Sequence, residues 1–404
     1  MVYELQRSPL RKLYILLHKL ETYVFRIPLW YLKSIPRPLR PRASWSATKA
    51  YLMPYLNYWH DFGPIGERVG PMHSWPDYRA IPDTPGVKAV WLDSTPQLVV
   101  GDVKQWAERG NVQPIRIPGY WYDKDGHDTP IGAPPEPGEK VVLYLHGGGL
   151  ITESAHPSNF MSVVPLSIMR HCSAKRALSV EYRLVELSPE ANPFPAALFD
   201  CLAGYHYLVD VLGFSPDSII VAGDSAGGLL TLTLACYLID NLSELSTRLR
   251  VPPSPPASAL VLLSPWCDLG TSHETPGSSL VTFSYDFMPD QRKGLVFAAR
   301  QAYLRSLPPD SGETNPYVSP ASRHPECHAS FKGFPRTFVT TGGAERLLDQ
   351  DRTLVEYLRR DLGPDSVVYY EATDALHDYI HFPQFPQEAA ETQKMLKALE
   401  AFLE

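Results

Sequence analysis

Gly223-Asp224-Ser225-Ala226-Gly227-Gly228, after the apolar run Ser218–Ala222 and running into the helical stretch Gly227–Ile239, is the segment whose reading decides the fold. A strand that reverses into a helix this sharply has no room for side chains, so small residues must flank the serine of a G-x-S-x-G turn. The helix that follows aims its first amides at any negative charge formed beside Ser225. A tight turn around an ordinary serine has the same local sequence. The neighbouring elements must therefore decide between the two.

From about residue 112 those neighbours alternate between strand and helix. The short apolar runs Lys140–Leu145, Ala177–Tyr182, Ala259–Leu263, Thr337–Thr341 and Val367–Glu371 read as buried strands. Helices are expected from Pro195 to about Val211, at Thr353–Asp361 and at Pro386–Leu403. Such alternation needs crossover connections, which predicts an α/β fold with a mostly parallel central sheet and helices on both faces. Ligands bind such sheets at the carboxyl ends of the strands, so the loops just after the runs carry the chemistry.

His146-Gly147-Gly148-Gly149 follows Lys140–Leu145. Consecutive glycines let backbone amides approach an oxyanion, and that role is assigned to Gly148, Gly149 and Ala226, with Gly147 serving the turn and His146 the scaffold. A serine nucleophile also needs a base oriented by a carboxylate, in the chain order Ser, acid, His. His377, after Val367–Glu371, is the expected base, with His381 the second candidate; His324 and His328 fall in a cap-like region. Glu345, nearest the end of Thr337–Thr341, is the expected acid. Asp349, one helical turn on, is the alternative and would otherwise charge or cap a helix start. No metal and no cofactor is expected.

Taken together these motifs resemble the hormone-sensitive-lipase-like family of α/β-hydrolases, also called bacterial family IV esterases, from about residue 135 onward. His146–Gly149 matches the HGGG signature and Gly223–Gly228 the GDSAGG elbow. Tyr182-Arg183-Leu184, Pro189-Glu190 and Pro193-Phe194-Pro195-Ala196-Ala197 resemble the YRLAPE…PFPAA stretch. Ser264-Pro265-Trp266 with Asp268 and Asn315–Pro320 resemble two further family segments. The resemblance implies a helical cap, built from the N-terminal region and an insertion after Asp268, and hydrolysis of esters with short to medium acyl groups. Two positions depart from the pattern. The acid stands in Glu345-Arg346-Leu347-Leu348-Asp349 where the family has D-P-L-x-D, and His377 is followed by Asp378-Tyr379 in place of Gly-Phe. The long basic start is similar to eukaryotic, particularly fungal, members that serve natural-product pathways.

The division expected is residues 1–105 as an N-terminal basic and aromatic region contributing to the cap, and 106–404 as the catalytic domain with a cap insertion at about 270–330. Residues 1–60 carry ten Lys and Arg against two acids, +8, on a chain of net −7, leaving −15 for the remainder. An acidic body repels phosphates, which argues against nucleic acid as partner. Leu10, Leu13, Leu17, Leu20, Val24 and Ile27 fall on one helical stripe. Two readings stand: a helix packed over a catalytic mouth, the commoner fate of such a stripe, or one lying on an anionic membrane surface. The apolar run Leu13–Leu17 is too short to span a membrane. Trp45, Tyr51, Tyr55, Tyr58, Trp59 and Phe62 line a pocket or pack, and the 40 prolines cluster in loops such as Pro252–Pro256. The five cysteines lack zinc or redox spacing and read as buried free thiols in a reducing, cytoplasmic setting, with membrane association as the second reading.

The function read from the sequence is a serine esterase acting on an apolar small-molecule ester, consistent with the aromatic cap residues Phe283, Tyr285, Phe287 and Met288. The alternative keeps the site for thioester release or an intramolecular condensation. A third reading is a non-catalytic small-molecule-binding module, because the family resembles the plant gibberellin receptor.

Overall fold

The computed structural model describes residues 11–66, 78–187 and 190–404, with the backbone alone for residues 11 and 59–66. Leu10 and Pro189, and the side chains of Trp59 and Phe62, lie outside the described residues. Eight strands form the main sheet: β1 (Lys88–Leu92), β2 (Ile117–Asp123), β3 (Val141–Leu145), β4 (Arg176–Val180), β5 (Ile219–Asp224), β6 (Ala259–Leu263), β7 (Thr337–Gly342) and β8 (Val367–Ala372). Their spatial order is β1-β2-β4-β3-β5-β6-β7-β8. From β4 to β8 all pairings are parallel, while β2 is antiparallel to both β1 and β4. The α/β architecture expected from the alternation is present.

Side chains alternate between two cores, as a pleated strand requires. Leu143 and Leu145 of β3 join one core together with helices α6 (Ala196–His206), α7 (Ala226–Asp240) and α9 (Leu348–Leu362). Val142 and Tyr144 join the other with α5 (Val163–Arg170) and α10 (Pro386–Leu403). The remaining helices of eight residues or more are α1 (Arg11–Glu21), α2 (Ile27–Ser34), α3 (Ala47–Gly66), α4 (Asp102–Gly110) and α8 (Gly294–Leu304). A π-helical turn, Thr22–Arg26, joins α1 to α2.

Two differences from the sequence expectation bear on the site. The strand read as Ala177–Tyr182 is Arg176–Val180, because Glu181 and Tyr182 turn away to brace loops. Glu181 accepts from Ser154 Oγ at 2.5 Å and the Ala155 amide at 2.9 Å, and Tyr182 Oη donates to the His146 carbonyl at 2.7 Å. Strands β1 and β2 were not among the expected strands; α4 lies between them in the chain, and they pair antiparallel at one edge of the sheet. Thus β1 falls within the 1–105 stretch, and the sheet draws on chain upstream of the expected boundary.

All five cysteines are free. Only Cys201 and Cys267 are buried; Cys172, Cys236 and Cys327 are half-buried, which corrects the expectation of burial for those three. Among the described residues no helix is long and apolar enough to cross a membrane.

Candidate active site

The turn after β5 holds Ser225 at φ 48 and ψ −116, a strained conformation for a residue with a side chain. The strain follows from how closely the elements meet. A Cβ on Gly227 would stand 1.9 Å from the Leu145 carbonyl oxygen, so only glycine lets α7 start against the end of β3. The adjacent Asp224 fastens the two loops together: its Oδ1 accepts from Tyr144 Oη at 2.5 Å and from the Gly147 amide at 3.1 Å. Gly147 is therefore engaged in the turn, as expected. Gly148 has φ 105, and a Cβ there would lie 2.3 Å from the Thr152 carbonyl oxygen. His146 stacks on Tyr182 at 4.2 Å, and its Nδ1–H donates to the Gly147 carbonyl at 2.8 Å. Burial pulls its pKa down to about 4. A neutral, stacked ring serves the scaffold.

His377, on the loop after β8, brings Nε2 to 3.0 Å from Ser225 Oγ, which donates to it. Its Nδ1 faces Glu345 Oε1 at 3.4 Å. The other oxygen of Glu345 is occupied by Ser264 Oγ–H at 2.6 Å and the Gly342 amide at 2.7 Å, so the carboxylate is fixed from the end of β6 and from the end of its own strand β7. The structure brings together Ser225, Glu345 and His377. It does not bring the alternatives. Asp349 accepts from the Ser279 amide at 2.8 Å and faces Arg352 at 3.7 Å. His381 lies 3.9 Å from Asp224 and edge-on to Phe160. His324 turns back on its own loop to accept from the Glu326 amide, and His328 is exposed.

Ser264 and Asp286 carry no role in the sequence reading, whereas Asp378 stands out there as an extra carboxylate beside the expected base, able to alter its pKa. Ser264, at φ 43 just past β6, donates to Glu345 and accepts from the Asp378 amide at 3.2 Å. Its position at a strand end was the available signal. Asp378 places Oδ2 3.2 Å from His377 Nε2. Asp286, from the cap insertion, is fully buried and accepts from the Arg346 amide at 2.9 Å; no local pattern marked it.

These acids set the electrostatics. Burial alone would lower the His377 pKa, but the charges of Asp378, Glu345 and Asp286 outweigh it and lift it to about 10. Burial also holds the Asp378 carboxyl well above the usual range and raises Asp286 to about 6. The pair His377–Asp378 thus retains a proton at neutral pH. Among the described residues, Asp224 of the elbow and Asp378 and His381 of the loop after β8 form one group with ligand-type atoms all within 4.8 Å.

Apolar side chains from the N-terminal region and from the segment after Asp268 gather beside His377. Met53 of α3, Trp45 and Phe385 cluster with Leu376, and Tyr285, Phe287 and Phe382 pack against them. Phe287 is 6.1 Å from the His377 ring, Tyr285 meets Trp45 edge-on at 5.4 Å, and Phe283 stacks on Tyr285. The N-terminal segment is tied down by Trp45 Nε1–H to the Asp374 carbonyl at 2.8 Å and by a buried Lys49–Glu388 ion pair.

Residues 142–381, more than half of the chain, match the model of the alpha/beta hydrolase fold family. The chain is 31% identical over 209 residues to the esterase LipU of Mycobacterium tuberculosis, covering 52% of this chain and 60% of that protein. It is 30% identical over 218 residues to an acetyl-hydrolase of Streptomyces hygroscopicus, covering 53% and 60%. The chain thus spans about three-fifths of the length of these curated relatives. Among solved structures, a hormone-sensitive-lipase homologue, EstE7, from a metagenome library superposes with TM-score 0.51 at 26% identity, covering 80% of this chain and 89% of that one. The chain belongs to the alpha/beta hydrolase fold family, with the hormone-sensitive-lipase-like character its motifs resemble.

Proposed function

We propose that this protein is a serine carboxylesterase that hydrolyses an apolar ester through an acyl-enzyme on Ser225. The observation that carries the reading is the unbroken line from Ser225 Oγ through His377 to Glu345, with contacts of 3.0 and 3.4 Å. An assembled line of this kind speaks against a non-catalytic binding module, and the relatives named esterase and acetyl-hydrolase support hydrolysis.

In this reading His377 Nε2 takes the hydroxyl proton as Ser225 Oγ attacks the ester carbonyl. Glu345 orients the imidazole and balances the charge it gains. The amides of Gly148, Gly149 and Ala226 receive the oxyanion, each donor contributing roughly a hundred- to a thousand-fold in rate. The tetrahedral intermediate collapses as the His377 proton passes to the departing alcohol. Water then gives a proton to His377 and its oxygen to the acyl group, which leaves as the carboxylic acid with Ser225 restored. The apolar side chains of Met53, Phe287 and Leu376 suit an apolar acyl or alcohol group.

The test is hydrolysis of nitrophenyl esters together with labelling by a fluorophosphonate. Turnover by the parent protein, its loss in Ser225→Ala, and label on Ser225 are expected. Label on Ser225 without ester turnover would shift the reading to thioester release or condensation at the same site, and turnover retained in Ser225→Ala would end it.

A further inference from the structure

The apolar stripe of α1 does not face the protein. Leu13, Leu17, Leu20 and Val24 are between 50 and 56% exposed, and Leu16 and Phe25 beside them reach 63 and 68%. The opposite face holds the helix in place. Tyr14, Ile15 and Trp30 pack on Tyr58 of α3, His18 stacks on the same ring at 5.3 Å, and Thr22 is buried. Along α2 and just beyond it, Leu29, Tyr31, Leu32, Ile35 and Leu39 are also exposed. The packed reading of the stripe is therefore corrected. Aromatic rings suffice to dock α1 onto α3, so the leucines were left outside.

Apolar residues scattered singly on a surface need no partner, but a concentration of exposed large apolar side chains within residues 13–39 does. Charge indicates which partner. Lys12, Lys33 and Arg37 are exposed on the same segment, and residues 1–60 carry +8 on a chain whose remainder carries −15. A second copy meeting this face through a two-fold axis would bring the like-charged segments together. A membrane-spanning role does not apply to the described helices, none of which is long and apolar enough.

We propose that α1 and α2 form a docking face for an anionic lipid surface, with the leucines entering the acyl boundary and the basic side chains meeting the headgroups. α3 couples this face to the candidate active site, since its Tyr58 ring carries α1 while its Met53 packs with Leu376 next to His377. The docking proposal does not depend on the esterase reading.

The experiment is flotation of the full chain with phosphatidylcholine vesicles, with and without phosphatidylserine. Flotation with phosphatidylserine that weakens in high salt is expected. Leu16→Glu/Leu20→Glu should remain in the soluble fraction, Lys33→Gln should lower partitioning roughly fivefold, and Ser225→Ala should float like the parent. Circular dichroism and thermal melting confirm that each variant is folded. A parent protein that ignores phosphatidylserine vesicles, or a double glutamate variant that floats equally well, overturns the proposal. So does a dimer that the double variant converts to monomer without any vesicle binding by the parent.

Discussion

Asp378 Oδ2 lies 3.2 Å from His377 Nε2, the same nitrogen that Ser225 Oγ meets at 3.0 Å. His377 Nε2 is thus shared between the Ser225 hydroxyl and a second, buried carboxylate. A carboxylate there stabilises the imidazolium, the form that cannot accept the serine proton. Its presence ties activity to pH.

With His377 lifted to about 10, kcat/KM of the proposed esterase should still be rising above neutral pH. Removing the anion in Asp378→Asn takes away stabilisation of the charged ring, so the pKa falls and the acidic limb moves to lower pH, by about one to three units. Asparagine tolerates the left-handed backbone at this position, φ 45, and the variant should fold. A pH profile of kcat/KM for parent and variant checks this; an unmoved limb would refute it.

Glu345→Gln should reduce kcat by about a thousand- to ten-thousand-fold, because an amide no longer balances the imidazolium or fixes its tautomer. Asp349→Asn should leave kcat within a few-fold, since Asp349 contacts Ser279 and Arg352 and not His377. Steady-state kinetics on the two variants separates them.

Gly227→Ala should be destabilised by on the order of 3 kcal/mol or more, since its Cβ would stand 1.9 Å from the Leu145 carbonyl oxygen and backbone cannot step aside cheaply. Denaturant titration measures the loss. A variant with unchanged midpoint would show that α7 and β3 are not tightly opposed at Gly227.

Glu388→Ala should cost about 3–5 kcal/mol, because Lys49, whose side chain is almost fully buried, would keep a charge without its ion-pair partner. Lys49→Met/Glu388→Leu should recover much of that stability. Thermal melting of the single and double variants checks both outcomes.

The turn around Ser225, the glycines after β3 and the choice of His377 were legible because each is a local demand: small residues at a sharp turn, a polar residue just beyond a strand; β8 itself, expected to be buried, is a half-buried edge strand. Glu345 over Asp349 was also readable, since the strand end fixes which carboxylate comes first. Strands β1 and β2 were not readable: β1 is a five-residue edge strand that starts with Lys88, and Pro118-Gly119 interrupt the apolar run of β2. Asp286 was hidden for a different reason. It lies 91 positions before His377 in a cap without periodicity, and only folding the insertion over the site makes it a neighbour.

The stripe on α1 shows the division most plainly. Its 3-4-3-4 spacing determined that a helix forms with one apolar face, because periodicity is a property of the chain alone. Which way that face points depends on competing surfaces, and the tertiary structure decided it when Tyr14, His18 and Trp30 took the contact with Tyr58. The same holds at Ser225. Local sequence determined the strained turn at Ser225 and put Asp378 beside His377, whereas the charge of Asp286 reaches His377 only because the segment after Asp268 folds over it.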